Sequence, residues 1–171
     1  MLVILVVVIL CMIFGGGSWK TPINNVMDVL NDGDGKAYEE LMPPYVKDMA
    51  DALDGIVDIS DEDYDEEAEN QRDRLTKKYG DDAEISYEVV KKTEVDSDDI
   101  DSYNDMSDLA SVLSAKKAKK YELKKAYKVK IKYTIEGEDA DKTDKTTVIV
   151  GKMDGTWVLL DEGDLPISTG F

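Results

Sequence analysis

The chain has 171 residues and a formal net charge of −17, with 38 acids against 21 bases and no histidine. That balance excludes the net basic surface on which nucleic-acid binding depends and opposes tight contact with anionic lipid headgroups. Absence of histidine removes the usual general base and the commonest neutral metal ligand, and Cys11 as the only cysteine excludes an intramolecular disulfide or a cysteine-built metal centre. No metal and no cofactor is expected.

Leu2 to Phe14 is an unbroken hydrophobic run, and no charge occurs before Lys20. A membrane-spanning helix needs roughly 20 apolar residues, while a run of about 10–14 fits the core of a signal peptide. The uncharged stretch reaches roughly 27 Å at about 1.5 Å per residue, marginal for a bilayer. Residues 1–19 therefore read as a signal peptide or a transmembrane anchor. Gly15 and Gly17 place small residues where signal peptidase would need them for cleavage after Gly17. Trp19 and Lys20 stand where an interfacial anchor would stand. No Lys or Arg precedes the run, as a start placed too late or a truncated N-terminus would produce. Cys11 lacks the small preceding residue of a lipoprotein cysteine and reads as one more apolar residue. The remainder, 20–171, has the size of one ordinary domain, expected at the cell membrane facing the outside, or secreted if cleavage occurs.

Thr21-Pro22 reads as a helix start, with Thr21 as cap and proline in the first turn. Ile23, Val26, Met27 and Leu30 then fall on one stripe at helical spacing. Asn31-Asp32-Gly33-Asp34-Gly35 breaks that helix. A second piece carries Ala37, Tyr38, Leu41 and Met42 up to Pro43-Pro44, and Tyr45, Val46, Met49, Ala50 and Leu53 repeat the spacing. The acid-crowded stretch from Asp58 to Glu69 reads as a solvated loop entering a helix with acidic first turns, basic last turns and Gly80 as its stop.

Strands follow. Ile85, Tyr87 and Val89 alternate with polar residues up to Val95, and Asp96-Ser97 starts a further helical stretch with Ile100, Tyr103, Leu109, Val112 and Leu113. Tyr127, Val129, Ile131, Tyr133 and Ile135 alternate strictly with Lys128, Lys130, Lys132 and Thr134, which predicts one buried and one wet face. Thr147 to Val150 and Trp157 to Leu160 form a hairpin about the Asp154-Gly155 turn. The tail after Asp161 has no strong pattern. The expected fold class is α+β: N-terminal helices on a curved, mostly antiparallel sheet, with the helices covering one sheet face.

Two stretches carry a resemblance. One is Thr21-Pro22 with the Val26/Leu30 helix, followed by Asn31-Asp32-Gly33-Asp34 and Ala37-Tyr38-Glu39-Glu40-Leu41. The other is the closing hairpin from Gly151 to Leu159 with Asp154-Gly155 and Trp157. In these the chain resembles the nuclear-transport-factor-like, or cystatin-like cone, superfamily, in particular its small exported bacterial members. The resemblance spans Thr21 to Asp161 and implies a curved sheet wrapped around helices, with a conical pocket. In the superfamily's enzymes, ketosteroid isomerase among them, Asp and Tyr side chains inside the cone perform acid–base chemistry. No residue of this chain matches such a motif, so no catalytic role is carried over.

Bland readings outweigh sharper ones elsewhere. Gly35 at position 6 of a calcium loop would put Leu30 and Leu41 at positions 1 and 12, where oxygen ligands are required. The acidic run from Asp58 supplies no converging ligand set. Lys116 to Lys132 is a basic island that could meet an anionic polymer or a phosphate headgroup, although the wet face of a strand accounts for its later lysines. Tyr45, Tyr64, Tyr79, Tyr87, Tyr103, Tyr127 and Tyr133 could line a pocket with their hydroxyls inward, but most lie on apolar stripes and, like Trp157, read as core with the hydroxyl at its edge. The expectation is a binding or interaction domain without catalytic activity, held at a membrane by its N-terminal helix, with an envelope protein or small apolar ligand as partner. The alternatives are a small acid–base enzyme pairing a buried carboxylate with a tyrosine, or a sensing or assembly domain of an envelope complex.

Overall fold

The structure is a computed structural model that describes residues 18–44, 61–104 and 122–168. The hydrophobic run, the helical spacing at Tyr45 to Leu53, Leu109, Val112 and Leu113, and Lys116 to Lys120 lie outside them. Among the described residues no helix is long and apolar enough to cross a membrane.

Helix α1, Thr21–Asp32, buries Ile23, Val26 and Leu30 completely and Met27 nearly so, the stripe that the spacing predicts, with Val29 buried beside it. Its start differs from expectation. Lys20, not Thr21, holds the cap position and offers no side-chain cap; Pro22 keeps its place in the first turn. Backbone bonds close that turn instead: Thr21 N–H donates to the Ser18 carbonyl and Asn24 N–H to that of Lys20, both at 2.9 Å. Gly33 ends α1 in the left-handed conformation at φ 66°, where a side chain would be strained. One residue later the Asp34 carboxylate accepts from Ala37 N–H at 3.0 Å and caps α2, Gly35–Leu41. Helix α3, Asp61–Tyr79, opens acidic and ends with Lys77 and Lys78, matching its dipole. It buries Ala68, Gln71, Leu75 and Tyr79, again one stripe.

Four strands follow, β1 (Glu84–Glu94), β2 (Leu123–Glu136), β3 (Lys142–Met153) and β4 (Thr156–Asp161), each antiparallel to the next in the order β1-β2-β3-β4. The register stacks Ile85 on Ile135, Tyr87 on Tyr133 and Val89 on Ile131, then Val129 on Val148 and Val150 on Leu159. All but Val89 pack under the helices, because cross-strand partners share a face; Val89, next to the register shift between Val89 and Lys91, is 38 % exposed, so the buried alternation expected for β1 ends at Tyr87. Asp154 and Gly155, at φ 48° and 84°, make the tight left-handed turn between β3 and β4.

The helices do not cover one face alone, as expected. On the opposite face Val95, Leu123, Ala126, Met153 and Val158 form a second, smaller cluster, with Ile100 and Tyr103 of the helical segment 97–104 packed on it. Gly151 is required there: a Cβ at that position would collide with the Leu123 and Leu160 side chains. The tail also departs from its patternless sequence. Leu165 and Ile167 are buried in the main core, since the backbone there is tied down by side chains remote in sequence.

Three amides do this tying. Gln71 donates to the Ser168 carbonyl (3.1 Å) and accepts from its N–H (3.2 Å). Asn31 pairs in the same way with Ile85 at 3.0 and 2.8 Å, and Asn104 with Leu123 at 3.3 and 2.7 Å. Each amide makes the two bonds that a neighbouring strand residue would make, so the start of β1, the start of β2 and the tail are satisfied without another strand. Arg72 adds a further tie, donating to the Leu30 carbonyl at the end of α1 (3.1 Å) and to the carbonyl of Ala83.

Candidate functional site

The pocket implied by the resemblance would lie between sheet and helices. There Val129, Ile131, Tyr133, Ile135, Val148, Val150 and Leu159 of the sheet, and Ile23, Leu30 and Leu41 of the helices, are all at 0 % exposure. The Tyr133 hydroxyl donates to the Asp164 carbonyl (3.3 Å) and accepts from Lys142 at 2.7 Å. The side chains of the chain itself fill this interior, and among the described residues no buried side-chain polar atom lacks a partner.

Two surface grooves bring polar side chains together. One, of about 340 Å³, lies over the smaller cluster and is lined by Asp99, Ser102, Tyr103, Lys128 and Ile149. It brings a carboxylate and a phenol within one helical turn, the pair that the acid–base alternative demands. Asp99 is 52 % exposed, however, and sits 2.8 Å from the Lys128 ammonium. The hydrogen bond to Asp99, reinforced by its charge, raises the Lys128 pKa, and the Asp99 carboxylate is an exposed partner in an ion pair, not one held away from water. The Tyr103 phenol is pushed up by burial first and by Asp161 and Asp99 next, so it stays protonated at neutral pH. The second groove, of about 300 Å³, is lined by Gly35, Lys36, Glu39, Tyr64 and Asp65, with no buried carboxylate. Among the described residues no three His, Cys, Asp or Glu side chains converge as metal ligands would.

The other motif positions of the sequence do local structural work. Asn31 clamps Ile85, Gly33 and Asp34 end one helix and start the next, and Asp61 to Glu69 form the first half of α3. Lys128, Lys130 and Lys132 lie on the face away from the main core, as strand alternation predicts. Tyr79, Tyr133 and Trp157 are core, with Tyr64, Tyr87 and Tyr127 half-buried against it. The Tyr87 hydroxyl donates to Asn24 Oδ1 at 2.7 Å.

What the sequence did not disclose is a convergence at one end of the sheet. Trp19 folds back from the start of α1 onto Tyr127, edge-on at 6.3 Å, and Tyr127 stacks on Trp157 at 5.4 Å. Lys92 Nζ sits 4.1 Å from the Tyr127 ring centre and 5.0 Å from that of Trp19; Lys125 and Lys20 lie 5.3 Å from Tyr127 and 5.5 Å from Trp19. Lys152 is the cross-strand partner of both Lys125 and Trp157, which puts it on the same face. The acid in this group is Glu94, paired with Lys125 at 3.4 Å. The hydrogen bond from Lys125 to Tyr127, followed by Glu94, raises the Lys125 pKa and keeps it charged. The residues come from α1, β1, β2, β3 and β4, and only the strand register brings them together. Comparison with known proteins gives no lead: no family model, no curated protein and no solved structure matches the chain.

Proposed function

We propose that the chain is a non-catalytic binding domain, held at a membrane by its apolar N-terminal segment and facing the outside, that works through its outer surface. The observation that carries this reading is the filled interior. Where the superfamily's enzymes hold a substrate, this chain holds Tyr133, Ile131, Leu159 and Leu30, none of them exposed. The order of elements, helices first and then an antiparallel meander, is compatible with a place in the cone superfamily. The acid–base alternative finds its best carboxylate, Asp99, half exposed and ion-paired with Lys128.

Two measurements test the proposal. Protease added to intact cells should digest the domain; full protection without any secreted form would overturn the outward location. A thermal-shift series with steroid-sized apolar ligands should leave the unfolding midpoint unchanged, because a ligand that binds the fold stabilises it by mass action. A saturable rise in midpoint would restore the pocket and the enzyme reading with it.

A further inference from the structure

Net charge conceals how charge is distributed along the sheet. At one end the turn between α1 and α2, the connection from α3 to β1 and the loop from β2 to β3 meet. Asp82 accepts from Glu138 N–H at 2.7 Å, and Asp139 N–H donates to the Tyr79 carbonyl at 3.0 Å. This end carries Asp32, Asp81, Asp82, Glu136, Glu138 and Asp139, against Arg72, Lys77, Lys78 and Lys142. Lys77 and Lys142 are already paired, with Asp73 and Asp144. At the other end, about 35 Å away along the 11 residues of β1, stand Lys20, Lys92, Lys125 and Lys152 around Trp19, Tyr127 and Trp157. That end also carries Glu94, which pairs with Lys125, and Asp96, Glu122 and Asp154, so its acids and bases nearly balance; in a chain of charge −17 it is the aromatic end at which the lysines gather.

That end is where the apolar segment joins the fold. Residues 1–17 carry no charge, and Trp19 is packed on Tyr127 two positions later, leaving only Ser18 as a spacer. A segment lodged in a bilayer would therefore hold this end of the sheet at the headgroups. Tryptophan, tyrosine and lysine are the side chains that suit that layer: the rings span its polarity gradient and the ammonium groups meet lipid phosphates.

We propose that the face formed by Trp19 and Tyr127, stacked on the buried Trp157 and carrying Lys20, Lys92, Lys125 and Lys152, docks on anionic phospholipid headgroups of the membrane that holds the N-terminal segment. Docking fixes the orientation of the domain, because the same negative surface that attracts the lysine end repels the acidic end. The acidic end is then presented away from the bilayer. This inference rests on the membrane-tethered reading above and adds a contact surface and a lipid class to it.

The chain provides its own reporter, since its two tryptophans, Trp19 and Trp157, both lie in this face. The full chain is reconstituted in vesicles of phosphatidylcholine with or without phosphatidylglycerol, each doped with a headgroup-nitroxide lipid that quenches nearby tryptophan. Flotation is measured alongside. We expect flotation with both vesicle types and stronger quenching in the anionic ones, the excess being lost at high salt and in the Lys92→Glu/Lys125→Glu/Lys152→Glu variant. Since Lys92 also packs on Tyr127, the Lys20→Glu/Lys152→Glu variant provides the same test with that contact intact. Flotation with no quenching, or with quenching indifferent to lipid charge and to the lysines, overturns docking and leaves the tether. Failure to float overturns the tether and docking together.

Discussion

The two faces of the sheet solve the same problem at different scales. Under α1, α2 and α3 the apolar residues of three helices, four strands and the tail merge into one cluster, sealed by Gln71, Asn31 and Arg72. On the other face five buried residues gather beneath the segment 97–104, and only at the end of the sheet where β2 begins and β3 turns into β4. The rest of that face is wet, carrying Lys130, Lys91 and Thr147, all exposed. Burial at roughly 25 cal/mol per Å² makes the first face the source of global stability and the second a local attachment.

The largest expected effect is a pair of leucine truncations that sets one face against the other. Leu159→Ala empties a fully buried site in the large cluster, where the surrounding elements cannot collapse. It should cost about 4 kcal/mol, the upper part of the range for buried leucines. Leu123→Ala, at 2 % exposure in the small cluster, has a short helical segment able to settle into the gap and should cost about 2 kcal/mol. Urea unfolding measures both, and equal losses would show the two faces to be one cooperative unit.

That contrast was only half legible in the sequence. The stripe of α1 and the alternation of β2 follow from period and residue type, so these elements and much of the main core could be read directly. The start of α1 was misplaced by one residue, because a Thr-Pro pair looks like a cap whether or not the threonine hydroxyl takes part. The second cluster was hidden because Ala126, Val158 and Leu160 stand on what strand alternation assigns as the outer face. Leu165 and Ile167 were missed for another reason: they are held by Gln71, a polar residue in a strongly charged helix that no period marks. The lysine–aromatic end is illegible in principle, since Trp19, Lys92, Tyr127 and Lys152 meet only through the register of the strands.

The amide clamps sharpen the comparison at the next level. Ile85 N–H and Leu123 N–H are both buried and both bound by a side-chain amide oxygen, at 2.8 and 2.7 Å. If the faces differ in stability, the Leu123 amide should exchange with deuterium well before that of Ile85, through local opening of segment 97–104. Asn31→Ala leaves a backbone donor and acceptor of β1 unsatisfied and should cost about 2 kcal/mol globally. Asn104→Ala should mainly speed exchange at Leu123 and shift the global midpoint less. Equal protection of the two amides would break the distinction.

Alkaline titration reads the faces again, with a smaller effect. Burial, reinforced by Glu67, pushes the Tyr38 phenol on the helical face from its ordinary 10.0 up to about 12. The unfolded chain thus releases this proton at lower pH than the folded chain. Stability from this group is complete below pH 10 and is lost as pH rises towards 12. Tyr103 on the other face shifts the same way, by burial first and by Asp161 next. The difference in unfolding free energy between wild type and Tyr38→Phe should shrink over that range, and the corresponding difference for Tyr103→Phe should shrink less. A wild-type-to-Tyr38→Phe difference that stayed constant across the range would place the Tyr38 hydroxyl in contact with water.

The smallest effect concerns the solvent edge of the helical face. Partial burial first, then Asp32, Asp34 and Glu40, raise the Asp28 pKa above its ordinary 3.8. The fold therefore disfavours the ionised carboxylate: Asp28 contributes most below its ordinary pKa, and that contribution is lost as pH rises through the folded value. At neutral pH the group repels its neighbours. Asp28→Asn should accordingly raise the thermal midpoint slightly at pH 7, keep that gain as pH rises further, and lose it well below pH 3.8, where wild type is protonated as well. The same amide substitution at Asp99, which pairs with Lys128 at 2.8 Å on the opposite face, should lower the midpoint at pH 7. Opposite signs for two carboxylate neutralisations would locate the charge imbalance of the chain on the helical side; like signs would spread it over the whole surface.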